Sequence, residues 1–126
     1  MDRKFIITAF VYAIVGMSLG IFMAASKNHI QFVTHAHILL AGFVVSFIYA
    51  LTHKLWLDNS SGLLSKIKFY VHQVGIFLMS LGLFLLYGGI VAAETIDPML
   101  AFSSFAVLAG MILMVLLFFK SSRTAD

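Results

Sequence analysis

An all-α integral membrane array of four antiparallel helices, with both termini cytoplasmic, is the fold class this sequence predicts, and three observations carry it. Of 126 residues 62% are apolar and only 10% are charged, with a mean hydropathy of +1.06. The apolar residues gather into four runs, each close to the roughly 20 residues at 1.5 Å rise that cross a hydrocarbon core about 30 Å thick. The basic residues fall almost entirely on one side of the array those runs define. A soluble chain this short needs a polar coat that 10% charge cannot supply, so a soluble enzyme, a disordered regulator and a disulfide-stapled secreted module are all excluded. The expected partner is a lipid bilayer, and no nucleic-acid partner is expected. With no cysteine there is no thiolate metal site and no thiol nucleophile.

The chain makes one transmembrane domain, 1–126, with spans over Phe5 to Ala25, Thr34 to Leu57, Phe69 to Ala93 and Met99 to Phe119. The links between them, Ser26 to Val33, Asp58 to Lys68 and Glu94 to Pro98, are short, which implies an up-and-down array of neighbours. Arg3, Lys4, Lys54, Lys66, Lys68, Lys120 and Arg123 share one side and Lys27 alone takes the other. The positive-inside bias therefore places the termini and the middle loop in the cytoplasm and the Glu94/Asp97 turn outside. The first run, although preceded by Asp2-Arg3-Lys4 and closed by Ala24-Ala25-Ser26, exceeds the 7 to 15 residues of a secretory h-region and is read as a span. Gly16 with Gly20, and Ala106 with Gly110, are small-xxx-small pairs that suit either packing within the chain or a subunit contact.

Five histidines carry what chemical information the chain holds: His29, His35, His37, His53 and His72. Ionisable groups at membrane depth are costly and mark function. His29 reads as a solvated loop residue. Thr34 reads as the N-cap of the second helix, followed at once by His35 and His37. At 100° per residue, side chains spaced i, i+2 point about 200° apart, so these two cannot grip one ion from a regular helix. Each then serves a different neighbour. In line with His35 come Gly42, Ser46, Tyr49 and, five turns on, His53; His37 looks along Ala41, Val44 and Ile48. Gly42 removes a side chain below His35, which lets a flat macrocycle or another helix lie close. His72 lies about 13 Å inward of the span midpoint and His37 about 13 Å outward, so one ligand cluster cannot hold both. His53 shares the depth of His72, and the two form a second site or face the headgroups, where Lys54 and Trp56 read as an interface anchor.

The stretch Thr34-His-Ala-His-Ile-Leu-Leu-Ala-Gly-Phe-Val-Val-Ser-Phe-Ile-Tyr-Ala-Leu-Thr-His-Lys-Leu-Trp56 resembles the haem-bearing helix of the heme-copper oxidase catalytic subunit, subunit I of cytochrome c oxidase. The likeness covers about 23 residues of the 126. It implies His35 and His37 as axial ligands of haem iron, one on either side of the helix, with Gly42 lining the cofactor. Subunits of that family hold twelve helices in three similar arcs of four. This chain has the length of one arc, which implies a homotrimer with haem between His35 of one copy and His37 of the next. The family's copper centre needs an adjacent His-His pair and a His linked to Tyr. Tyr49 precedes His53 in the reverse order, so neither oxygen- nor nitric oxide-reductase activity is expected of this chain alone.

The leading functional expectation is a b-type haem protein of the bacterial inner membrane, since there is no Cys-x-x-Cys-His for covalent attachment. Its work would be electron transfer or redox or gas sensing, with a respiratory-chain redox partner. Copper is the alternative metal, held by His35 and His37 with Met23 or Met99, because imidazole and thioether suit it. Two other readings stay open: a two-level cytochrome with a second haem at His53 and His72, and a cofactor-free scaffold or assembly factor. Transport is not expected, because no broken helix or midplane acid is visible.

Overall fold

A computed structural model of the chain describes residues 2–57 and 62–125, with side chains as far as 120; residues 58–61 of the predicted middle loop and the Arg123 side chain lie outside the described residues. It is all-helical among those residues. Helix α1 is Asp2–Ser26, α2 is Phe32–Leu55, α3 is Leu63–Tyr87 and α4 is Ala93–Ala125. Each is long and apolar enough to cross a membrane. Side chains such as Ile14, Ile21, Phe22, Phe105 and Leu116 stand exposed on the outside of the bundle, as lipid contact requires.

Four helix boundaries differ from the expected spans for local reasons. Helix α3 starts at Leu63 instead of Phe69, because Lys66 and Lys68 lower hydropathy without lowering helix propensity. It stops at Tyr87 instead of Ala93: Gly88 closes the last turn and Gly89 takes φ +71°, a left-handed value that ends a helix. Helix α4 starts at Ala93, with Pro98 inside it. The proline's missing N–H deprives only the Glu94 carbonyl, in an exposed first turn, and Glu94 itself lies where the helix dipole favours an acid. Helix α2 begins at Phe32, so Thr34 is inside it and does not cap it; its hydroxyl donates instead to Gln31 Oε1 at 2.7 Å.

Helix α2 is not uniform. Between the α-helical stretches Phe32–His37 and Val45–Leu55 runs a π-helical segment, Ile38–Val44. Its i→i+5 turns are wider, so each residue advances by less than 100° and the count of five even turns from His35 to His53 does not hold across it. The wide segment packs on α1, where a Cβ at Gly16 would meet Leu39 at 2.5 Å and one at Gly42 would meet Tyr12 at 2.8 to 3.0 Å. Of the two roles expected for Gly42, close approach of another helix is the one occupied, by Tyr12. Both small-residue pairs also serve contacts within the chain: Gly20 lies under the His35 ring, Ala106 faces Gly75 and Gly110 faces His72.

Helix α1 packs chiefly on α2, and α3 chiefly on α4. What joins the two pairs is mostly long side chains. At one end Gln31 Nε2 donates to the Phe84 carbonyl at 3.0 Å, while its Oε1 accepts from Thr34. At the other end a buried cluster of Phe5, Tyr49, Ala50, Leu57, Phe69, Met114 and Leu117 draws on all four helices.

The contrast between two glycines tests this packing. Gly42→Ala drives a Cβ into the root of the Tyr12 ring and should lower stability by about 1–3 kcal/mol as overpacking does. Gly16→Ala meets Leu39 Cδ2 and Cγ at 2.5 and 2.7 Å and Ile38 Cγ2 at 3.2 Å, aliphatic side chains that can turn to another rotamer where a ring root cannot, and should cost less. Thermal unfolding of the two variants in one detergent gives the order, and an equal loss would show that the α1–α2 contact yields at both positions alike.

Candidate functional site

The four histidines inside the helices lie at two separate levels. At the first, His35 and His37 leave α2 in different directions. The His35 ring turns to α1, half-buried against Gly20, with Nδ1 2.8 Å from the Gly16 carbonyl oxygen. The His37 ring is exposed on the far side, with Nδ1 2.9 Å from the carbonyl of Val33, one turn back. A carbonyl oxygen only accepts, so in both rings Nδ1 carries the proton and donates it. Nε2 is then the lone-pair nitrogen in each, and neither Nε2 has a partner among the described residues. A ring whose Nδ1–H is anchored to a backbone carbonyl is fixed in both tautomer and orientation for metal binding through Nε2.

The faces below the two rings differ. Ser46, Tyr49 and His53 are buried, whereas Val44 and Ile48 are exposed beneath His37. His29 is exposed in the turn between α1 and α2, where its carbonyl accepts from Phe32 N–H at 3.1 Å. Met23 is buried, and the end of Met99 lies against Gly82 of α3. Among the described residues no three His, Cys, Asp or Glu side chains gather as a metal site.

The second level is fully enclosed. His53, His72 and Lys68 are each 0% exposed. Lys68 Nζ lies 2.5 Å from His53 Nε2 and donates to Met114 Sδ at 3.4 Å. It also stands 5.0 Å from the Phe5 ring centre and 4.9 Å from that of Tyr49, so two aromatic faces supply the negative potential an ammonium needs. Ser46 Oγ and His72 Nε2 share a hydrogen bond of 3.0 Å. Phe5 stacks on His53 with ring centres 5.5 Å apart, and Tyr49 meets His72 edge-on at 5.0 Å. The Nδ1 atoms of both histidines are buried and have no hydrogen-bond partner among the described residues. His53 and His72, expected at one depth, thus lie in one cluster whose Nε2 atoms are already engaged by Lys68 and Ser46. Each ring thus keeps one unpartnered nitrogen, Nδ1, inside an enclosed cluster.

Lys68 was expected in a cytoplasmic loop and is instead the centre of this cluster. The signal that identifies it is spacing: Ser65, Lys68, Phe69, His72 and Ile76 follow i, i+3, i+4, i+7 and i+11, one helical face, and all are buried. Charge alone had assigned the residue to the membrane surface. The chain matches no protein-family model, no curated protein and no solved structure.

Burying an ammonium costs several kcal/mol, and an orphaned imidazole nitrogen costs about 1–3 kcal/mol. Lys68→Met therefore should melt no lower than the parent protein. Phe5→Ala, which empties the ring contacted by Tyr49, His53, Phe69 and His72, should lose about 3–5 kcal/mol. A lower melting temperature for Lys68→Met would show that the caged ammonium is net stabilising.

Proposed function

We propose that this chain is a b-type haem protein of a bacterial inner membrane, akin to one four-helix arc of heme-copper oxidase subunit I, that works in electron transfer or in redox or gas sensing. The observation that carries the reading is the state of the outer imidazoles. Both His35 and His37 tie Nδ1–H to a backbone carbonyl and keep Nε2 free, which is the donor chemistry an axial haem ligand needs. A bound haem would supply one-electron chemistry at its iron. The protein's own part is to fix the ring planes through Gly16 and Val33 and to surround the ligands with apolar helix surface.

In this reading the helices alternate in direction and both termini face the cytoplasm, because Arg3, Lys4, Lys54 and Lys120 then lie on the inner side. His37 points away from its own bundle, above exposed Val44 and Ile48, and so is available to a neighbouring copy. A cyclic homotrimer places His35 of one protomer beside His37 of the next, with a respiratory-chain protein as redox partner. The single-level layout is favoured over a second haem at His53 and His72, since the Nε2 atoms of those rings contact Lys68 and Ser46. Copper in place of haem would use the same two Nε2 atoms.

The experiment is an absorption spectrum, oxidised and reduced, of the protein purified from haem-replete cells. A Soret band is expected, lost in His35→Ala and in His37→Ala and retained in His53→Ala and His72→Ala. Gly20→Ala, whose Cβ would come 2.9 Å from His35 Cε1, should reduce haem content while leaving helicity unchanged. Haem that survives both outer substitutions, or a colourless folded protein, overturns the assignment and favours the cofactor-free scaffold.

A further inference from the structure

Between α1 and α3, which hardly touch, runs a groove of about 540 Å³ that opens toward the lipid and is walled mostly by apolar side chains such as Val15 and Phe77. Five polar residues interrupt the wall, Thr8, Tyr12, Thr34, Gln73 and Ser80, and of these the Thr8 and Thr34 hydroxyls already donate within the chain, to the Lys4 and Phe5 carbonyls and to Gln31 Oε1. Counted from the helix midpoints at 1.5 Å per residue, Tyr12 and Gln73 lie about 3 Å from the middle of the bilayer and Ser80 about 8 Å, against a hydrocarbon half-thickness of about 15 Å. The hydroxyls of Tyr12 and Ser80 have no hydrogen-bond partner among the described residues, and Gln73 makes one side-chain hydrogen bond, 3.3 Å from its Nε2 to Thr8 Oγ1. Unpartnered donors in hydrocarbon are costly, and a cavity of this size with a few placed polar groups is the usual form of a small-molecule site.

We infer that this groove binds the head of an isoprenoid quinone, with its tail lying along the apolar wall. The occupant must carry hydrogen-bond acceptors, because Tyr12 and Ser80 offer O–H donors and Gln73 retains a second N–H. It must present them near the middle of the membrane, at a depth that phospholipid headgroups and ester groups do not reach. It must also be otherwise apolar, to enter sideways and to lie against Val15 and Phe77. A benzoquinone or naphthoquinone ring on a prenyl chain meets all three conditions. The inference is independent of haem, since neither His35 nor His37 lines the groove.

The full-length protein in phosphatidylcholine nanodiscs is irradiated with an azido-ubiquinone carrying a short prenyl tail, and the labelled peptides are mapped by mass spectrometry. Saturable labelling around Tyr12 and between Gln73 and Ser80 is expected, displaced by unlabelled decylubiquinone and unaffected by added phosphatidylglycerol. Loss of two hydrogen bonds in a Tyr12→Phe/Gln73→Leu variant should weaken competition by about tenfold, while the helical circular dichroism stays unchanged. Labelling spread without saturation over Phe10, Phe22 and Phe105 would overturn the inference in favour of ordinary lipid. Disulfide formation between copies through Val11→Cys would overturn it in favour of a second protomer seated in the groove. Should the double variant fail to fold, displacement from the parent protein decides the matter alone.

Discussion

The arrangement of the four helices turns on one buried ammonium. Lys68 enters the bundle from α3 and ends against an imidazole nitrogen of α2, a thioether of α4 and the ring of Phe5 from α1. Tyr49 of α2 joins the same meeting point, its ring against Phe5 and His72 and its hydroxyl against Met111 Sδ of α4 at 3.8 Å. A hydrogen bond involving a charged group contributes about 1.5–3 kcal/mol, and a desolvated cation–π contact about 2 kcal/mol or more, which together are of the order of the penalty for withdrawing the ion from water. By that balance the cluster adds little net stability, and what its contacts favour is one relative placement of the helices. Any slippage of α3 along its axis would leave the ammonium without partners, so the register between the α1–α2 pair and the α3–α4 pair is set here.

Where the pairs are not joined, space remains. Apolar helices in lipid gain little from meeting one another, because lipid tails are as apolar as leucine; close approach needs small residues or polar contacts. Within each pair glycines supply it: Gly16, Gly20 and Gly42 between α1 and α2, Gly75 and Gly82 between α3 and α4. Between the pairs the polar contacts are the Lys68 cluster at one end, the Gln31–Phe84 bond at the other and, between them, the single bond of 3.3 Å from Gln73 Nε2 to Thr8 Oγ1. The groove alongside Tyr12, Gln73 and Ser80 is that middle stretch, where no glycine brings α1 and α3 together and one hydrogen bond alone spans them.

The π-helical segment of α2 connects this packing to His35 and His37. It lies between His37 and Ser46, so it sets the angle at which the ring-bearing turn is presented relative to the buried cluster. A regular helix would fix both levels by pitch alone. Here the wide turns allow His35 to reach the Gly16 carbonyl while Ser46 and His53 still face α3, and the two polar levels are positioned by different contacts on one helix.

Hydropathy and length were enough to place four spans, because the thickness of a bilayer sets how many apolar residues must run together. The i, i+2 spacing was enough to separate His35 from His37, since angle per residue is a property of the backbone. Ends of helices were less legible: hydropathy reads transfer from water, whereas the ends of α3 follow Gly62 and Gly88, which respond to backbone geometry. Lys68 was hidden by the same substitution of one property for another, its charge assigning it to the surface although its spacing from His72 put it on the buried face. The tautomers of the His35 and His37 rings, the partner of every buried nitrogen and the groove between α1 and α3 belong to the tertiary structure alone, for each depends on which carbonyl or ring a second helix brings within about 3 Å to 5 Å, and no pattern along one chain records that distance.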